Sequence, residues 1–307
     1  MNSLNLTAII IALNEEVFIK KCIDAIYNYV QRIFVITNYD HDYSLNYLEP
    51  DETLNIIANY SDIDNKIILL LNRKILDETI QRNWAIATDK ALYNISNRRI
   101  FPHAHSVERI RKETSKTDYF WIIDADEIYD PETIPTALEF LMKTNYNAVL
   151  VRGYNFFKTW NYKLDEYFCH IGFLRPDRYF YSRRSLYFPK PLGWLHHFSP
   201  ELSRRLINLY CRQTILPESI AVFYHGAYVG DDERIKKKIS ISSHFRELKK
   251  ANIDQWFENT WKNWHPGMEN FRFGASPEAW QDVEQIPTGK LPKIIRGNTW
   301  PEGWINE

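Results

Sequence analysis

The stretch "DYFWIIDADEIYDPETIP", residues 118–135, decides how the chain is read. Four bulky apolar residues, Phe120–Ile123, run straight into Asp124, Asp126 and Glu127. An unbroken apolar run of this length predicts a strand covered on both faces, with three acids at its carboxyl end. Pro131 follows Asp130, the pattern of an N-cap with proline at the first helical position. Ile134, Ala137, Leu138 and Leu141 then supply one apolar helix face. Upstream, "LTAIIIAL" (6–13), "RIFVIT" (32–37) and "KIILLL" (66–71) read as strands, and 16–30 and 77–95 as helices. "NAVLVRGYNFF" (147–157) reads as a further strand. Strands alternating with helices, each strand apolar throughout, predict an α/β domain with a mostly parallel sheet.

Beyond residue 158 the pattern breaks. Residues 159–219 are rich in aromatics, Arg and Pro without a clean period. "SIAVFYHG" (219–226) predicts a late strand and 231–250 a polar-faced helix. Six of the ten Trp lie after position 255, so an aromatic-rich, helical C-terminal extension is expected over 231–307. Aromatic rings stack on sugars but also fill cores.

With 307 residues and 45% hydrophobic content the chain can bury a core. Its 38 basic and 39 acidic residues leave a formal charge of −1, which offers no field for nucleic acid. Cys22, Cys169 and Cys211 are odd in number and far apart, as expected of reduced thiols in a cytoplasmic protein. The N-terminus lacks the features of a signal peptide, and no apolar run approaches the ~20 residues of a bilayer span.

In open α/β sheets, ligands bind outside the carboxyl ends of the strands. In an extended chain Asp124 and Asp126 point the same way, and two such carboxylates repel unless a cation or protons relieve them. A hard divalent ion, Mn²⁺ or Mg²⁺, fits oxygen donors and keeps positions open for phosphate. The plainer alternative is that the acids complement the positive end of the following helix.

The order "IALNEEVFIKKCIDAI" (11–26), "QRNWAIATDKAL" (81–92) and "FWIIDADEIYDPETI" (120–134) resembles glycosyltransferase family 2. These enzymes have the GT-A fold and move a sugar from a nucleotide diphosphate to an acceptor. In them an apolar strand often leads into "LNEE", a helix carries "RN", and "DADE" is a form of the Asp-x-Asp motif. A looser likeness continues through "FLRPDRYFYSRR", "WLHH" and "VFYHGAYVGDDERIKKK" to a subgroup with Arg-x-x-Arg-Asn, His-Glu and His-Tyr-Gly elements in that order.

The resemblance implies a Rossmann-like, mostly parallel central sheet flanked by helices. It implies a GT-A domain over 1–230, with a nucleotide-binding half (1–130) and an acceptor-binding half (131–230). Ala12, Leu13 and Glu15 match positions that hold base and ribose; helix N-terminal charge is the plain role for Glu15. Asn38 and Asp40 lie where an acid usually contacts the base, although "TNYDHD" departs from the usual Asp-Asp pattern and favours neither. Arg82 matches the "RN" helix and would pair with the diphosphate or order the acidic loop, its fork suiting either anion. Asp124 would face ribose and metal, Asp126 the metal, and His225 would complete the metal shell. The expected partners are a nucleotide-sugar donor and a glycan or other hydroxyl acceptor, with Mn²⁺ or Mg²⁺ as cofactor. Residues 159–219 and the Trp-rich tail would shape the acceptor site.

An inverting transfer needs a general base for the acceptor hydroxyl. Where the subgroup has His-Glu, this chain has His196-His197, so His197 is the expected base, with Asp177 and Glu201 as rivals. Two other readings compete. "WIIDADEI" also resembles the first motif of haloacid-dehalogenase-type phosphatases, with Asp124 as nucleophile and Asp126 as acid/base, and "VGDDE" (229–233) imitates their late motif. That motif usually opens its domain, whereas three strands precede it here. The second rival is a non-catalytic carbohydrate-binding protein on a degenerate GT-A fold.

Overall fold

The computed structural model describes residues 4–38, 51–72, 77–98, 116–182, 186–188, 212–241, 254–268, 271–272, 280–281 and 283–305. The chain opens with β1 (Leu6–Ile11), α1 (Ile19–Ile26), β2 (Arg32–Asn38), α2 (Thr53–Ala58), β3 (Ile67–Asn72) and α3 (Glu78–Arg98). β4 (Tyr119–Asp124), β5 (Glu127–Tyr129), α4 (Ile134–Lys143) and β6 (Ala148–Leu174) follow. Next come β7 (Tyr179–Ser182), β8 (Leu186–Phe188), β9 (Gln213–Ile215), β10 (Val222–Val229) and α5 (Asp232–Ile241). A π-helical turn (Phe257–Trp261), β11 (Phe271–Arg272), β12 (Trp280–Gln281), β13 (Val283–Gln285) and α6 (Lys293–Gly297) complete it.

The fold is α/β around one large, mostly parallel sheet. Its order is β3-β2-β1-β4-β6-β10-β5, with β9 and β13 also pairing with β6. β3, β2, β1 and β4 run parallel, as do β6 with β10 and β9; β4–β6, β10–β5 and β13–β6 are antiparallel.

The unbroken apolar runs explain the centre of this sheet. Successive residues of β1, β2 and β4 feed opposite faces. Ile10, Val35 and Trp121 join Ile19, Cys22, Ile23 and Ile26 of α1 on one side. Ile9, Phe34, Phe120 and Ile122 join Ala85 and Ile86 of α3 on the other. Each fully buried side chain of this size contributes about 1.5–3 kcal/mol, so covering both faces outweighs the ordinary appeal of a polar outer face.

The expected break after residue 158 does not appear; β6 extends to Leu174. Lys158 takes a left-handed φ of 64°, and beyond it the run returns beside itself. A Cβ added at Gly172 would stand 2.5 Å from Val151 Cγ2, so the two arms touch there and only glycine fits. The first arm pairs with β10 and the second with β4. The second arm mixes aromatics with Lys163 and Asp165, so neither an apolar run nor a period reveals this pairing. Among the described residues, no helix is long and apolar enough to cross a membrane.

Candidate functional site

β4 ends at Asp124, paired with Ile11, and the Ala125 N–H donates to the Ile11 carbonyl at 3.0 Å. The chain then turns before β5, so the extended alternation expected to align Asp124 with Asp126 stops at the strand end. The two acids enter different surroundings. Asp124 keeps 27% of its side chain exposed and accepts from Arg82 Nη2 at 2.8 Å. Its backbone N–H donates to Glu127 Oε2 at 3.2 Å. Arg82 is fully buried and also donates to Glu78 Oε2 at 3.1 Å, one turn earlier on α3. α3 thus delivers a guanidinium to the end of β4.

Asp126 is 3% exposed and meets His225 and Lys238, which come from much later in the chain. β5 and β10 pair antiparallel with Glu127 opposite His225, and the Gly226 N–H donates to the Asp126 carbonyl at 2.9 Å. This register brings His225 Nε2 to 3.4 Å from Asp126 Oδ1. A Cβ at position 226 would lie 2.5 Å from Phe18 Cε1, so any side chain there forces the ring to shift. β6 runs beside β10 with Asn155 opposite His225, and the His225 Nδ1–H donates to Asn155 Oδ1 at 2.7 Å.

α5 closes the group. Arg234 and Lys238 are four residues apart and share a face, while Ile235 and Ile239 pack among Phe157, Trp256 and Trp261. The Lys238 ammonium bridges Asp126 Oδ2 and Glu15 Oε1. Arg234 Nη2 donates to Glu15 Oε2 at 3.2 Å, and its Nη1 donates to the carbonyls of Ala227 (3.2 Å) and Val229 (2.8 Å). Its guanidinium carbon lies 4.6 Å from the Phe18 ring centre and 5.6 Å from that of Trp304.

The electrostatics follow from this packing. Burial pushes the Asp126 pKa up, but the Lys238 and His225 charges beside it win and hold the carboxyl well below the usual range. Burial works against a charged imidazole, yet the Asp126 carboxylate raises the His225 pKa. Burial likewise works against the Lys238 charge, and Asp126 and Glu15 together raise its pKa. Glu15 is raised by burial, against the pull of Lys238.

The expected site residues therefore divide. Asp126 and His225 meet; Asp124 stands with Arg82. Glu15 is buried with both oxygens engaged, and its N–H donates to Thr53 Oγ1 at 2.7 Å. Ala12 is buried and its N–H donates to the Ile36 carbonyl at 2.9 Å, while Leu13 is half-buried at the same strand end. Asn38 ends β2 opposite Asn72. Asp177 is exposed, with Arg178 Nη2 3.3 Å from its Oδ2. His197, like Asp40, His196 and Glu201, lies outside the described residues. The sequence reading passed over Asn155, Arg234 and Lys238. The i, i+4 basic pair beside the late "YHG" was the available signal.

For a divalent ion, the donor set fits in part. With its Nδ1–H committed to Asn155, a neutral His225 offers the Nε2 lone pair, the usual way a second partner orients a metal-binding imidazole. A carboxylate oxygen 3.4 Å away can share one ion with it. Among the described residues, no group of three or more His, Cys, Asp or Glu is arranged to hold a metal. Substrate oxygens and water would have to supply the remaining positions.

Residues 113–199 match the model of glycosyl transferase family 2. No curated protein matches the chain. Among solved structures, TarS of S. aureus is 15% identical over 82% of this chain, with a TM-score of 0.40. The present chain spans 42% of that TarS chain. A shorter TarS form, 1–349 in complex with UDP-GlcNAc, is 11% identical over 83% of this chain and 70% of its own, also with a TM-score of 0.40. Glucosyl-3-phosphoglycerate synthase from Mycobacterium tuberculosis, in complex with UDP, is 15% identical over 50% of this chain and 44% of its own, with a TM-score of 0.29. Likenesses at this level assign neither a fold nor an activity.

Proposed function

We propose that this chain is a GT-A glycosyltransferase that moves a sugar from a nucleotide diphosphate sugar to a hydroxyl acceptor, with inversion. The observation that carries the reading is the family match over 113–199, which contains the acids at the end of β4. The placement of those acids at the carboxyl end of a central parallel strand supports it.

In this reading the acceptor oxygen attacks the anomeric carbon as the bond to the diphosphate oxygen breaks. A base takes the hydroxyl proton; His197 is the assigned base and Asp177 the alternative. Negative charge gathers on the departing diphosphate, so fixed cations near the strand end lower the barrier. Asp126 and His225 would hold a divalent ion, Mn²⁺ in preference to Mg²⁺ because of the imidazole donor, and that ion would neutralise the leaving group. Asp124 would face ribose and metal, with Arg82 fixing its carboxylate. Ala12, Leu13, Glu15 and Asn38 would border the nucleoside.

A thermal-shift series with UDP, GDP, CMP and dTDP, each with and without Mn²⁺, tests the reading. A ligand at 100 times its Kd adds about 2.7 kcal/mol of stability. Asp126→Asn should abolish the Mn²⁺-dependent part of the shift and the transferase activity while the folded state persists. Full transfer activity in that variant would reject the assignment.

A further inference from the structure

Lys238 stands on one oxygen of the carboxylate that a divalent ion would use. Its ammonium touches Asp126 Oδ2 and Glu15 Oε1, carboxylates whose side chains are only 4% and 6% exposed. His225 faces the other Asp126 oxygen. Lys238 thus takes Oδ2 and cancels the charge of the carboxylate, so an ion that binds through Oδ2 must displace the ammonium and one shared by Oδ1 and His225 must bind against its charge.

The two cations on this face of α5 are built differently. The Arg234 guanidinium is pinned by Glu15, by two backbone carbonyls and by the neighbouring Phe18 and Trp304 rings. The Lys238 contacts in the site are the two carboxylates, and its side chain keeps 24% exposure. A lysine has a flexible four-carbon stem and three rotatable donors, so it can change partners where a locked guanidinium cannot.

We propose that Lys238 is an exchangeable cation. In the free protein it neutralises Glu15 and Asp126 and keeps divalent metal off Asp126. When a diphosphate arrives, the ammonium passes to a phosphate oxygen and Asp126 becomes available to the ion. This rests on the reading of Asp126 as a metal ligand given above. It adds a residue that couples metal binding to donor binding.

Mn²⁺ binding to the full chain without nucleotide, followed by electron paramagnetic resonance, tests the first half. Lys238→Met should bind Mn²⁺ about tenfold more tightly than the wild type, a change of about 1.4 kcal/mol. Glu15→Gln combined with Lys238→Met preserves the charge balance of the site and guards against a folding defect; it should show a gain of the same order. Lys238→Arg should stay near the wild type. Lys237→Met removes an exposed charge from the same helix and should change the affinity less than twofold, which separates competition at Asp126 from general repulsion. If Asp126→Asn removes Mn²⁺ binding but neither Lys238→Met variant gains affinity, Lys238 is a fixed structural partner and the inference falls alone. If Asp126→Asn leaves the Mn²⁺ affinity of Lys238→Met intact, the metal assignment fails and takes the inference with it.

Calorimetry with inorganic pyrophosphate in EDTA tests the second half. Lys238→Met should weaken binding about tenfold, and Lys238→Arg should restore most of it. Unchanged pyrophosphate affinity in Lys238→Met would overturn the transfer of the ammonium to phosphate.

Discussion

The two ends of the chain build their cores from different side chains. Around β1, β2 and β4 the interior is mostly Ile, Val, Leu and Ala, arranged in two layers on either face of the sheet. Around β6, β10 and α5 it is aromatic. One cluster joins Phe157, Tyr162, Trp256, Trp261 and Trp264, and another joins Phe18, Phe156, Trp160 and Trp304. The aliphatic core positions a strand end, and with it Asp124. The aromatic clusters position a helix, and with it Arg234 and Lys238. Trp261 shows the difference: its ring packs at 5.0 Å from that of Phe157 while its Nε1–H donates to Asp232 Oδ1 at 2.7 Å. An indole can anchor a polar helix start and fill a core together, which an isoleucine cannot.

The largest effects should come from truncations that separate these duties. Trp261→Ala should cost about 3–5 kcal/mol of stability by chemical denaturation, through its cavity and the lost bond to Asp232. Below its melting temperature it should also weaken pyrophosphate binding, because α5 loses its support. Ile122→Ala in the aliphatic layer should cost about 2–5 kcal/mol yet leave pyrophosphate affinity within twofold. Equal binding defects in the two variants would erase the distinction between the cores.

Gly226→Ala should have a smaller effect on stability, about 1–3 kcal/mol from overpacking against Phe18. Because the Gly226 N–H holds the Asp126 carbonyl, it should also disturb the pairing of His225 with Asp126. The His225 imidazole titration by NMR reads this directly. A resonance that titrates unchanged from the wild type would show that the register survives the added methyl.

The smallest effect is a matter of pH. Burial pushes the phenols of Tyr224 and Tyr228, both on β10, up to about 12. The folded state then keeps protons that the unfolded chain releases near pH 10. Stability should therefore fall as pH rises from about 10 to about 12, the window between the unfolded and folded values. Tyr228→Phe should reduce the late phenolate absorbance and shallow that decline. A full tyrosine titration completed by pH 11 would mean that β10 is more open than its packing indicates.

The aliphatic half was legible in the sequence because each strand there is buried on both faces and reads as an apolar run. β1 to β4, α1 and α3 fall within a few residues of the expected spans, whereas the short α2 was not expected. β6 was legible only to residue 157. Its second arm carries Lys163 and Asp165 among its aromatics, so no run or period marks it. The acids at 124 and 126 stood out from their crowding. Their separation did not, since it depends on where β4 stops pairing. The Trp-rich tail was expected to shape an acceptor surface, and Trp256, Trp261, Trp264 and Trp304 are instead buried. Composition does not say whether an indole faces sugar or core. Lys238 carried only the faint signal of its i, i+4 pairing with Arg234, and its partners were hidden for a different reason. Its partners lie 112 and 223 residues away, and no local pattern records a contact of that span.

That span has a consequence for how the protein is made. Glu15 is synthesised before Lys238, which follows it by 223 positions. At roughly 5–20 residues per second, about 10–45 s pass on the ribosome before the ammonium exists. During that interval the nascent sheet has two acids that burial would leave without their main cation. The β1–β4 sheet can collapse around its aliphatic residues, but its carboxyl-end acids must stay wet or protonated until α5 emerges. The electrostatic centre of the molecule is thus a late event of its biosynthesis, even though half of its residues are made early.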